Sequence, residues 1–191
     1  MKKILIINGN PVKNSFSNAI VNSYIEGAGD KAQVRTLIVT DLNFNPNLKV
    51  GYNSEQTLES DLVNAQELIS WAEHLVWVLP IWWGSIPALL KGFIDRVFLP
   101  GFAFKYKENS LMWDKFLSGK TAHIFVTMDS PVWFYKYITG NPVKKQLKNA
   151  TLNFCGVYPV KIDYMGQVRK SKIEIRKKWL LNVKKSAMKF K

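Results

Sequence analysis

The chain has a single cysteine, Cys155, and two histidines, at positions 74 and 123. That excludes an intrachain disulfide and any multi-cysteine metal site, and leaves almost nothing from which to build a zinc centre. No metal is expected, and Cys155 reads as a buried, inert thiol. No apolar run approaches the length of a membrane span. Residues 4–7, which follow two lysines, are far too few for the apolar core of a signal peptide. A cytoplasmic location is the expectation. Pro/Gly/Ser-rich linkers and internal repeats are missing too, so 191 residues with 47% hydrophobic content read as one domain, 1–191, with a sizeable core. Acidic residues are scarce, 14 against 27 Lys and Arg, for a formal charge of +13. Residues 167–191 hold ten of those bases against Glu174 alone, so most of the excess belongs to one terminal segment. There Ile173, Ile175, Trp179, Leu180, Val183, Ala187 and Phe190 supply a packing face, which makes the lysines the solvated side of a helix. Nucleic-acid binding is therefore not expected. A peripheral contact with an anionic membrane or partner through this helix stays open.

What the chain does have is a block of aromatics in the middle. From position 77 an apolar run ends in Pro80, passes through Ile81-Trp82-Trp83-Gly84-Ser85 and restarts after Pro87 as an amphipathic helix, 88–98. Strand, aromatic elbow and helix is the simplest reading. Because side chains alternate along an extended segment, Trp82 and Trp83 cannot both face the core, and one borders the crevice unless both cap the sheet edge. The cluster Gly101-Phe102-Ala103-Phe104-Lys105-Tyr106 lies outside any expected regular element. It is either core filler or the wall of a site for a planar molecule.

In chain order, residues 3–8 predict a central strand, apolar without alternation. The loop from Gly9 to Ser17 feeds a helix through about Gly27, capped by Ser15 or Ser17. This loop is neither G-x-G-x-x-G nor a P-loop, but Asn14, Ser15 and Ser17 together with free helix amides make either an anion site or ordinary caps. Further strands are expected at 33–39, 73–79, 121–127 and 160–164, and further helices at 58–72, 144–154 and 170–189. Residues 41–56 read as a polar connection, a lid or a dimer contact. His74 is expected at a strand entrance away from the crevice and His123 in the core. Strands alternating with helices predict a flavodoxin-like doubly wound α/β fold, a five-stranded parallel sheet in the order 2-1-3-4-5 with helices on both faces. In that order the loops after strands one, three and four converge on one crevice.

Gly9-Asn10-Pro11 with Ser15-Phe16-Ser17, Pro80-Ile81-Trp82-Trp83-Gly84 with Pro87-Ala88-Leu89-Leu90-Lys91-Gly92, Gly101-Phe102-Ala103-Phe104 and Phe154-Cys155-Gly156 resemble the NAD(P)H quinone oxidoreductases of the flavodoxin-like fold. The resemblance covers nearly the whole chain. It implies a flavin, FMN or FAD, with NAD(P)H as co-substrate, and two-electron reduction of quinones or similar electrophilic aromatics by ping-pong turnover. Asn10, Ser15, Phe16 and Ser17 would hold the flavin phosphate end. Pro80, Ile81, Trp82, Trp83 and Gly84 would present amides and rings to the isoalloxazine, and Thr127, Met128, Asp129 and Ser130 would line its other side. Phe104, Tyr106 and Trp133 would contact the substrate, the first two reaching into a partner's pocket in a homodimer with shared active sites. Tyr135 matches a tyrosine that assists hydride transfer, or else only packs on the ring. The histidine that accompanies it in better-known members is replaced, with Asn141 or Tyr137 roughly at its place. A regulatory subunit docked on a membrane transporter, or an electron carrier, are the competing readings.

Overall fold

The computed structural model describes residues 1–49, 51 and 57–189. Strand β1 (Lys2–Asn8) is an interior strand of the sheet, and Ile4, Leu5, Ile6 and Ile7 have no solvent exposure, as a run without alternation requires when both faces are covered. It pairs in parallel with β2 (Ala32–Ile38) on one side and β3 (His74–Pro80) on the other. Two short antiparallel strands, β4 (Phe104–Tyr106) and β5 (Trp113–Lys115), form a separate hairpin. Strands β6 (Thr121–Thr127) and β7 (Val160–Met165) complete the main sheet in parallel, giving β2-β1-β3-β6-β7. Renumbered within that sheet this is 2-1-3-4-5, as expected.

Helices cover both faces because alternate strand residues feed two core layers. Leu5, Ile7 and Trp77 pack with α2 (Ser60–Trp71), α3 (Ala88–Val97) and the π-helix Lys144–Asn153. Ile4, Ile6 and Phe125 pack with α1 (Phe16–Ala28) and α4 (Ile173–Lys189). The two helices of the second layer touch closely at Gly27, where any Cβ would collide with the carbonyl oxygen of Lys184.

Four expectations change. The aromatic stretch at 101–106 enters a hairpin, with Trp113 stacked 4.5 Å from Phe154 and its indole N–H donated to the Phe154 carbonyl at 2.8 Å. Three-residue strands are too short to leave a period in the sequence. The helix after β6 is wound with π geometry, as is Phe134–Ile138, where no helix was expected. The terminal helix begins at Ile173, and Ile173 and Ile175 are exposed by 58% and 44% instead of packed. Its described contacts with α1 run from Trp179, beside Phe16, to Ala187, so the first turn overhangs the layer. Phe190, assigned to the same face, lies outside the described residues. So do residue 50 and residues 52–56 of the polar connection. The stretch before them is tied down rather than lid-like: Asn43 N–H donates to Asp61, Asn45 N–H to Glu59, and the fully buried Arg96 donates to Glu59 at 2.7 Å and to the Asn45 and Thr57 carbonyls. Burial works to raise the Glu59 pKa, but the Asn45 amide and the Arg96 guanidinium outweigh it and hold the carboxyl below its usual range. Among the described residues no helix is long and apolar enough to cross a membrane.

Candidate active site

Neighbouring strands β1, β3 and β6 deliver three loops to the carboxyl edge of the sheet, where a crevice is expected. The first loop is shaped by its own amides. Asn10 donates its side-chain N–H to Ser17 Oγ at 2.9 Å and accepts from Val12 N–H at 3.0 Å, while its own amide bonds Asn8 Oδ1. Asn10 and the fully buried Ser17 therefore build the loop before they hold anything else. Phe16 turns away from the crevice: its ring sits 6.1 Å from Trp179 in the second core layer, so only its backbone faces the loop. Ser15 stands at the N-cap of α1 with no side-chain cap bond, and its Oγ is buried without a hydrogen-bond partner. A buried hydroxyl left unsatisfied costs about 1–3 kcal/mol, so this one asks for a ligand.

The elbow after β3 is a tight turn, not an extended segment. Trp82 N–H donates to the Ser85 carbonyl at 2.9 Å and Ser85 N–H returns the bond at 3.0 Å, with φ of +49° at Trp83 and +77° at Gly84. Two positive φ angles across a two-residue turn are the type I′ geometry. The expected alternation therefore fails. Both tryptophans point outward, Trp83 fully exposed and Trp82 nearly half so. A bulky residue in the left-handed region is strained by roughly 1–3 kcal/mol and persists only where its surroundings fix it. Among the described residues nothing bonds the amides of Trp83 and Gly84, which leaves two adjacent backbone donors at the rim.

What fixes the turn is Tyr135. Its side chain is 1% exposed, and its hydroxyl donates to the Gly84 carbonyl at 3.3 Å while accepting from Val143 N–H at 3.0 Å. Burial pushes its pKa up to about 12, so it stays a neutral donor. A hydroxyl engaged on both sides within the protein braces the turn. Ser85 adds a second tie through Gln146 at 3.0 Å, and Ile81 N–H joins the Thr127 carbonyl at 2.8 Å, linking the second loop to the third. Val143, Gln146 and Thr139, which lies against Gly84, carried no signal in the sequence.

In the third loop, Met128 is buried and bonded through its backbone to Met165 and Val168, so its side chain belongs to the core rather than to the crevice wall. Thr127 is nearly buried. Asp129 accepts from Arg169 N–H at 2.9 Å and pairs with its guanidinium, leaving Ser130 as the half-buried hydroxyl at the rim. Asn141, at the place expected for a histidine, accepts from the Tyr164 hydroxyl at 2.8 Å, whereas Tyr137 is exposed. The aromatic pair on β4 splits: Phe104 is 7% exposed, locked edge-on against Phe154 at 5.0 Å, so it cannot reach a partner, whereas Tyr106 is 61% exposed. Trp133 is equally open, its ring edge-on to Phe134.

Away from the chemistry, His74 lies at the opposite end of β3, hydrogen-bonded to Thr121 Oγ1 at 2.6 Å. Burial first, then His123 and Lys2, lower its pKa to about 4. His123 is buried mid-strand, 2.9 Å from Asp163. Cys155 is buried, and burial raises its thiol to about 12, which keeps it inert.

A family model described as a flavodoxin-like fold matches residues 2–186. Among curated proteins, an uncharacterised NAD(P)H oxidoreductase of Haemophilus influenzae is 29% identical over 185 residues, covering 90% of both chains. A ribosyldihydronicotinamide dehydrogenase [quinone] of Pongo abelii is also 29% identical, over 81% of this chain and 77% of its own. Among solved structures, Smu.1420 from Streptococcus mutans UA159 superposes with a TM-score of 0.84 at 30% identity, covering 98% of this chain and 99% of its own.

Proposed function

The chain belongs to the family of flavodoxin-like fold matched over residues 2–186, and from that premise we propose that it is a flavin-dependent NAD(P)H oxidoreductase that reduces quinones or similar electrophilic aromatics by two electrons. The names of its relatives in Haemophilus influenzae and Pongo abelii support the reductant and the acceptor class. The observation that carries the reading is the buried, unpartnered Ser15 hydroxyl at the start of α1, with two unbonded amides, Trp83 and Gly84, on the loop after the neighbouring strand β3.

These groups fit a flavin, FMN or FAD. Ser15, the amides of the first turn of α1 and the proton of the Ser17 hydroxyl would hold its phosphate, where the helix dipole also favours an anion. The Trp83 and Gly84 amides would bond its polar edge, and the exposed rings of Trp82 and Trp83 would cover a face and exclude water. Ser130 and the Thr127 backbone would line the other side. A bound flavin supplies the two-electron chemistry between NAD(P)H and acceptor. The residues' part is to bind, orient and exclude water, and Tyr135 contributes by holding the turn rather than by moving a proton. One crevice serving reductant and acceptor in succession makes turnover ping-pong.

The working unit is a cytoplasmic homodimer of single-domain chains, in which the exposed Tyr106 on the hairpin and Trp133 beside the crevice face substrate across the subunit boundary. A second role has one observation in its favour. Exposed Ile173, Ile175, Leu181 and Met188 share α4 with Arg176 and five lysines, a surface suited to an anionic membrane or a membrane-bound partner.

The test is the absorption spectrum of the purified protein, then anaerobic titration with NADPH. Flavin bands that bleach, and a Ser15→Ala variant that binds FMN at least tenfold more weakly, about 1.4 kcal/mol, are the expected results. Failure of the wild type to bind or be reconstituted with either flavin would sink the reading.

A further inference from the structure

Beside the crevice runs a groove of about 840 Å³, walled by both π-wound segments and floored by the outer edge of β7. Five lysines line it: Lys136, Lys144, Lys145, Lys148 and Lys161. Only Lys161 has a carboxylate, Asp163 at 3.7 Å; among the described residues the other four pair with none. Lys136 instead lies over the ring of Tyr164, 4.5 Å from its centre, and Lys148 reaches the Val160 carbonyl at 2.6 Å.

Lysines commonly guard an open sheet edge, and that accounts for Lys161 on β7 and Lys148 on its first carbonyl. It does not account for Lys136, Lys144 and Lys145, which lie on the facing segments and converge on a concave, partly aromatic surface. The volume is that of a small-molecule site. π-Wound turns, rare in soluble proteins, cluster where a site needs them.

One end of the groove is tied to the elbow turn. Its lining residues Gly140 and Asn141 follow Thr139, whose methyl stands 3.5 Å from where a Cβ on Gly84 would be. Asn141 N–H bonds the Tyr135 carbonyl, and Tyr135 holds the Gly84 turn. A ligand with a flat ring in the crevice and a polyanionic tail would find a basic channel on this side.

We propose that this groove binds the adenosine-phosphate half of the dinucleotide reductant, with Lys136, Lys144 and Lys145 on its phosphates and the Tyr137 ring against the base. Charge on this scale favours the extra 2′-phosphate, so NADPH is preferred over NADH. The inference rests on the reductase reading of the crevice and names that site's second half.

Adenosine 2′,5′-bisphosphate, titrated calorimetrically into the flavin-loaded protein, is the probe. The wild type binds it, and K144E/K145E, an exposed pair, loses at least tenfold in that affinity and raises the KM for NADPH by a similar factor. K177E/K178E makes the same charge change on the outer face of α4 and leaves both values within twofold, which separates the groove from general attraction. An unchanged KM and affinity in K144E/K145E, equal losses in both variants, or selective binding of single-stranded oligonucleotide or acidic peptide in place of the bisphosphate would each overturn the proposal. Turnover with an unaltered KM condemns the groove alone. Bisphosphate binding lost only in K144E/K145E, in a protein that oxidises neither nucleotide, condemns the reductase reading and leaves the groove as a nucleotide site.

Discussion

Tyr135 is a residue whose sequence position does not separate a chemical role from a structural one. Its place after β6 was legible as a tyrosine near the crevice, but the direction of its hydroxyl was not, because that depends on Val143, whose residue type carries no signal, and on Gly84, 51 residues away. In Tyr135→Phe the ring still fills its slot while the Val143 N–H and Gly84 carbonyl lose their partner, a cost of about 1–3 kcal/mol in folding stability. Flavin affinity should fall about tenfold as the turn loosens, and the pH dependence of flavin reduction should keep its shape, since a hydroxyl near 12 does not titrate in the working range. A hundredfold slower reduction with unchanged flavin affinity would restore a direct chemical role. Trp83 teaches the same lesson. Its left-handed backbone is set by the two bonds between Trp82 and Ser85, and no residue type forecasts a tryptophan there.

The elements divide by how they were written. Strands β1, β3 and β6 were legible almost to the residue because each is an unbroken apolar run, buried on both faces. The hairpin escaped because three residues carry no period, the π winding of Lys144–Asn153 because ten residues of wider winding still show a helical spacing, and Phe134–Ile138 because five residues are too few to show one. Where α1 meets α4 the sequence offered only Gly27 as a rough helix end, yet the structure gives it a packing role. Gly27→Ala tests it by setting two effects against each other: alanine gains about 1 kcal/mol of helix propensity, and the collision with the Lys184 carbonyl costs about 1–3 kcal/mol. A lower urea midpoint is expected; a higher one would mean that α4 slides freely over α1.

For the molecule as a whole, the strand order followed from alternation of strands and helices, whereas the acid response did not, because it depends on which histidine the sheet desolvates. With a folded pKa near 4 against about 6.5 unfolded, His74 is neutral in the native state. Its contribution is therefore fully present above pH 6.5 and lost as pH falls toward 4, a change of about 3 kcal/mol. Urea unfolding at pH 7 and pH 4.5 should show a much smaller difference in His74→Asn than in the wild type; equal differences would move the effect elsewhere. The interior position of β1 has one more consequence. Its partner Ile4↔His74 joins residues 70 apart, and every pairing in the main sheet is parallel and needs a crossover, so no neighbouring segments can seed the sheet as a hairpin does. Refolding must close long loops before any strand is rewarded, which makes this a slow folder among small domains, with its strand edges open to self-association until the last pairing forms.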